Sequence, residues 1–89
     1  MKLIFCPHCE DIRKLQRETT RCTCGRSYGH YCKDWLHACY GGEAVPLGFD
    51  NTSFSEALRQ RPLAGLGKRF EAFVIPRQCP TLRYLGVNI

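Results

Sequence analysis

The rhythm of apolar and polar side chains changes several times along the chain, and each change marks an element. Lys2-Leu3-Ile4-Phe5 is short and nearly all apolar, as a strand is. Ile12 to Gln16 and Thr19 to Thr23 favour extended backbone and predict a hairpin turning around Arg17-Glu18. Ser27 to Cys32 and Trp35 to Tyr40 flank Lys33-Asp34 and predict a second hairpin. With a two-residue turn, Cys32 faces Trp35, His30 faces His37 and Tyr28 faces Cys39. Gly41-Gly42 permits another reversal, and Ala44 to Phe49 follows as a strand. Pro46 has no N–H to give a ladder, which puts that strand at an edge or an irregularity.

One helix is legible. Ser53 and Glu56 have capping-box spacing. Phe54, Ala57 and Leu58 then fall on one face, and Pro62 closes the helix by pushing the residue before it out of the α region. These signals predict a helix over about 54–61. Leu63-Ala64-Gly65-Leu66-Gly67 reads as a flexible connection. From Arg69 to Ile75 the alternation returns with apolar residues on both faces, the signature of a central strand that Pro76 ends. Pro80 to Ile89 either adds a strand or stays mobile.

The elements define an α+β fold of one domain over residues 1–89, since a chain of 89 residues carries a single modest core. So small a core commonly needs a staple. The apolar fraction of 44% argues against disorder. Seven cysteines offer disulfides, metal or reactive thiols as explanations. The apolar start is far shorter than the roughly 7–15 residues of an export signal, and no stretch approaches a membrane span. An odd cysteine count also leaves one thiol over in any fully paired scheme. A cytoplasmic setting follows as the expectation, where clustered cysteines more often bind metal than each other.

The strongest chemical signal is Cys6-Pro7-His8-Cys9 followed, twelve residues on, by Cys22-Thr23-Cys24-Gly25. Zn²⁺ takes four soft or borderline ligands in a tetrahedron, and two tight turns supply four thiolates without a preformed core. Pro7 stiffens the first turn, and Gly25 permits positive φ after the second. Four thiolates accept iron as well. Arg13, Lys14, Arg17, Arg21 and Arg26 surround the motif and offset its negative charge. The formal net charge of +5 suggests nucleic acid at first sight. One ion held by four thiolates lowers it to about +3 and weakens that argument.

On these cysteines, residues 4–25 resemble a zinc ribbon, a metal-stabilised hairpin with two cysteine knuckles. The resemblance covers about a quarter of the chain. It implies one structural Zn²⁺ held by Cys6, Cys9, Cys22 and Cys24, with residues 1–25 as the ribbon and 26–89 as a small antiparallel sheet plus the helix. Glu10 stands where the first knuckle often has glycine, and the second knuckle is one residue short. His30 or Cys32 could therefore take the place of one cysteine of the second pair. The remainder resembles small proteins of bacteria and their mobile elements, which implies no function.

His30, Cys32, His37 and Cys39 invite a second metal site. In the two-residue-turn register all four share a face, but Cys32 and Cys39 lie about 13 Å apart along the ladder, too far for one ion. A polar and aromatic sheet face is the expectation there. Cys79 has no obvious base nearby and reads as a plain thiol. Gly65-Leu66-Gly67-Lys68 lacks the spacing and the hydroxyl of a phosphate loop. Tyr28, Tyr31, Trp35 and Tyr40 interleave with basic residues, which suits base stacking but more often reflects cross-strand packing.

An ion closed by four thiolates has no position for water, so the chain is expected not to be an enzyme. The leading expectation is contact with nucleic acid or a nucleoprotein through Arg13, Lys14, Arg17, Arg59, Arg61, Lys68 and Arg69. The alternative is a protein-binding accessory or inhibitor module docking on a larger assembly. No membrane partner is expected.

Overall fold

The computed structural model describes residues 1–86. Eight strands and one helix follow in the order β1 (Lys2–Phe5), β2 (Ile12–Lys14), β3 (Thr20–Arg21), β4 (Ser27–Tyr31), β5 (Ala38–Gly42), β6 (Val45–Phe49), α1 (Asn51–Arg59), β7 (Ala72–Val74) and β8 (Leu82–Tyr84). They form two four-stranded sheets, β2-β1-β6-β7 and β3-β4-β5-β8. All pairings are antiparallel except β5 with β8. This is the expected α+β class.

The pairing of β2 with β3 expected around Arg17-Glu18 does not form. β2 pairs with β1 (Phe5 opposite Ile12), and β3 pairs with β4 (Arg21 opposite Tyr28). Residues 15–16 cross between the sheets: the Leu15 N–H donates to Lys2 O, and Gln16 O already accepts from Tyr31 N–H in the other sheet. Leu15 is fully buried, so burying its side chain outweighs continuing the strand. Around it, Ile4, Ala38, Tyr40, Ala44, Ile75 and Leu82 complete the core, with Tyr31 and Cys79 partly buried against it.

The second hairpin forms, but in another register. Tyr31 faces Ala38, His30 faces Cys39 and Tyr28 faces Gly41. A longer loop closes it. Asp34 Oδ1 accepts from the N–H groups of Leu36 and His37, and Trp35 takes φ 58°. Side-chain hydrogen bonding by aspartate favours such loops, which a simple turn count overlooks. Gly42 makes the next reversal at φ 69°, where a Cβ would lie 2.0 Å from Arg26 O.

Pro46 lies in a central strand, contrary to expectation, because β6 runs between β1 and β7. Its carbonyl accepts from Ile75 N–H, so its missing donor faces the same side, just beyond the end of β7 at Val74. Only the return bond to Ile75 O is missing, at the rung where the ladder ends. The 69–75 strand is in turn a short edge: Phe73 and Val74 are exposed, and only Ile75 reaches the core. Phe73 covers Gly48, the residue opposite it on β6.

The helix starts earlier than its capping signal suggested. Asp50, not Ser53, is the N-cap and accepts from Ser53 N–H. Ser53 Oγ serves instead as acceptor for Glu71 N–H. The strand before the helix decides the start, because Asp50 N–H is already committed to Glu71 O. Phe54 then meets Phe49 and Phe70 in a three-ring cluster with centroids 4.8–5.3 Å apart. The tail contributes β8; residues 87–89 of the expected strand lie outside the described residues. Among the described residues no helix is long and apolar enough to cross a membrane.

Candidate metal centre

Each cysteine pair occupies the tip of its own hairpin. Cys6 N–H donates to Asp11 O at the end of β1–β2, and Cys22 N–H donates to Ser27 O at the end of β3–β4. The two loops span equal lengths of chain, although Cys24 comes one position earlier in its loop than Cys9 does. Each reversal needs one left-handed residue, supplied by Glu10 at φ 60° and Gly25 at φ 81°. Glu10 therefore takes the conformation that glycine would supply without strain.

The tips meet, and the four sulfurs of Cys6, Cys9, Cys22 and Cys24 lie within 4.8 Å of one another. Cys22 Sγ is 3.5 Å and Cys6 Sγ 3.7 Å from Cys24 Sγ. A tetrahedron with metal–sulfur bonds of about 2.3 Å has edges of about 3.8 Å, so these thiols already stand at ligand spacing. Cys6 and Cys22 are buried, Cys9 is half-buried and Cys24 is exposed. The four cysteines can bind a metal ion. His30 and Cys32 lie on and just after β4, outside this cluster.

Asp11 joins the two tips. One of its oxygens, Oδ2, accepts from Thr23 N–H at 2.9 Å, Thr23 Oγ1 at 2.9 Å and Arg13 Nε at 2.7 Å. The Arg13 guanidinium and then the Thr23 hydroxyl hold its carboxyl below the usual carboxylate range. Composition and spacing gave no sign of this role; the Asp-x-Arg motif beside the first knuckle was the available signal.

The thiols do not ionise alike. Burial opposes the Cys22 thiolate, but the Ser27 N–H at 3.3 Å and the neighbouring thiols bring Cys22 down to about 6. The Arg26 N–H favours ionising Cys24, yet burial and the other three sulfurs push it up to about 12. Four sulfurs this close do not all carry charge without a cation among them. Ser27 Oγ is fully buried and has no partner in hydrogen-bond geometry. It nevertheless lies close enough to Cys6 to be the main influence lowering that thiol. Such an orphaned donor suits a thiolate, and so a metal-bound Cys6.

The basic residues expected to contact nucleic acid fall into separate groups. Arg13 is tied to Asp11 on edge strand β2. Lys14 is exposed on that strand. Arg17 stacks on Trp35 at 4.8 Å and donates to Lys33 O. Arg59 ends α1, while Arg61, Lys68 and Arg69 are exposed on the segment leading to β7, the opposite edge of the sheet from β2. The aromatic residues are engaged with each other or with cations: Tyr31 with Trp35, Tyr40 with Tyr84, and Arg21 over Tyr28. Between α1 and residues 61–70 lies a cleft of about 310 Å³ lined by Phe54, Leu58, Phe70, Arg61 and Lys68 among others.

In Cys39 the thiol is pushed up by burial and then by the adjoining Cys32. None of the seven cysteines forms a disulfide. Comparison with known protein families, curated proteins and solved structures returns no match for this chain.

Proposed function

We propose that the protein is a non-enzymatic binding module stapled by one structural Zn²⁺ on Cys6, Cys9, Cys22 and Cys24. The observation that carries this reading is the gathering of four sulfurs at tetrahedral spacing from two hairpins that belong to different sheets. A single ion there ties the two sheets together through their hairpin tips, where Cys6 and Cys22 are buried. Four thiolates fill a tetrahedral ion, so the reading assigns no catalytic step to it.

The proposed partner is single-stranded nucleic acid or a nucleoprotein displaying it. Arg59, Arg61, Lys68 and Arg69 gather within eleven residues on an exposed stretch. The adjoining cleft offers Phe54 and Phe70, a combination that suits stacked bases beside paired phosphates. Arg13 and Arg17 are engaged elsewhere and contribute less. Four neutralised phosphates on a single strand give a log–log salt slope of about −3. Electrophoretic retardation or fluorescence anisotropy between about 50 and 200 mM salt tests this. Affinity flat over that range, or unchanged in an Arg59→Ala/Arg61→Ala/Lys68→Ala/Arg69→Ala variant, rejects nucleic-acid contact.

A protein partner is the second reading, favoured by one observation: Leu63 and Leu66 are fully exposed within the same segment. Two fully exposed leucines three positions apart offer apolar area that a protein partner would bury. In that case a pull-down recovers a partner that survives nuclease and is lost with Leu63→Ala/Leu66→Ala.

A further inference from the structure

The hairpin β4–β5 carries a His-x-Cys pattern in both arms, His30-Tyr31-Cys32 and His37-Ala38-Cys39. In the observed register His30 faces Cys39. The ladder extends past Tyr31 and Ala38, because Cys32 N–H donates to His37 O at 2.8 Å. Cys32 therefore faces His37, and each of two adjacent rungs on one face pairs a histidine with a cysteine. Alternation sends all four to the face opposite Ala38 and Tyr40, which point into the core. The loop of Lys33–Leu36 thus removes the 13 Å separation that a two-residue turn imposes.

We propose that His30, Cys32, His37 and Cys39 form a second metal site, taking a borderline divalent cation such as Zn²⁺ through two nitrogens and two sulfurs. Two adjacent rungs span about 7 Å along the strands and about 5 Å across them. One ion over such a patch is reached by two thiolates at about 2.3 Å and two imidazoles at about 2.1 Å. Two thiolates balance the ion's charge, so no extra counter-charge is required.

Three further observations support the assignment. Cys32, His37 and Cys39 line a common cleft. His30 Nδ1 is buried without a hydrogen-bond partner, and a buried orphan of this kind calls for a missing donor or ion. His37 Nδ1 lies 2.5 Å from Asp34 Oδ2, which fixes the proton on Nδ1 and leaves Nε2 free as a ligand. The same Asp34 side chain closes the loop through Leu36 and His37, so the group that sets the register also orients a ligand. Among the described residues only the four-cysteine cluster has three or more ligand atoms mutually within 4.8 Å. The second site therefore closes by side-chain rotation as the ion arrives, and it fills after the first.

The test is metal stoichiometry on the full chain, kept reduced and loaded with Zn²⁺, then measured by elemental analysis after desalting. Two ions per chain are expected, falling to one in Cys32→Ser and in His37→Asn while circular dichroism is unchanged. In a Co²⁺ titration the second equivalent should add visible tetrahedral bands with about half the thiolate charge transfer of the first, two sulfurs against four. Cys79→Ser, which changes another thiol of the same cleft, should keep both ions. One ion in the wild-type chain that survives Cys32→Ser overturns the second site. Loss of the second ion in Cys79→Ser but not in His30→Asn overturns its ligand set. Failure of the four-cysteine reading looks different: the single remaining ion would vanish in Cys32→Ser and persist in Cys9→Ser.

Discussion

Glu10 holds a conformation that its side chain disfavours. At φ 60° it occupies left-handed space, which costs an L-residue about 1–2 kcal/mol; glycine avoids that cost but loses part of the gain to its freer unfolded chain. Glu10→Gly should therefore raise stability by about 0.5–1 kcal/mol, read from a thermal or urea melt. Ser27 supplies a test with opposite signs. Its buried hydroxyl has no geometric partner without metal but is placed to donate to a Cys6 thiolate. Ser27→Ala should leave the metal-free protein as stable or more so, yet weaken metal retention by about tenfold in a chelator competition. Protonation enters through Cys24, which its sulfur neighbours and burial hold protonated near neutral pH, its N–H contact from Arg26 notwithstanding. Since the ion takes thiolates, uptake at pH 7.5 should expel at least the Cys24 proton, and affinity should rise with pH. Calorimetry in buffers of different ionisation enthalpy reads that proton directly.

Among the elements, the ends matter more than the middles. The start of α1 depends on Asp50, and Asp50→Ala should cost about 1 kcal/mol in urea unfolding. Ser53→Ala, the substitution that capping-box spacing points to, instead removes the acceptor for Glu71 N–H and should loosen the approach to β7 rather than the helix. Both hairpin tips were readable as cysteine turns, because tight turns with a glycine or a left-handed residue leave a strong local mark. The arms were harder to read. Alternation tells which residues share a face, but Arg69 to Ile75 alternates like a central strand and forms a short edge. Phe73 covers Gly48 and Phe70 joins the aromatic cluster, contacts between elements rather than properties of either.

At the scale of the whole molecule, the described residues hold one connected core cluster of seven buried residues between two sheets, small for a chain of this length. The cysteine cluster joins those sheets at one end. Stripping the metal should therefore lower the melting midpoint by more than about 10 °C, since each kcal/mol moves a domain of this size by about 4–8 °C. Measured with and without chelator under reducing conditions, an unchanged midpoint would remove the staple from the account.

The amino-acid sequence alone determined the local features: strand β1, the two cysteine turns, the presence of one short helix and the α+β class. Each is written in neighbouring residues, through apolar period, turn chemistry or ligand spacing. Tertiary structure decided who pairs with whom. Burial of Leu15 sends β2 and β3 into different sheets, and the end of β7 lets Pro46 occupy a central strand. An aspartate in a loop moves the register of β4 against β5 by two residues and sets His30 opposite Cys39. Such choices are settled by competition among distant surfaces for one core, and side-chain alternation by itself carries no record of the winner.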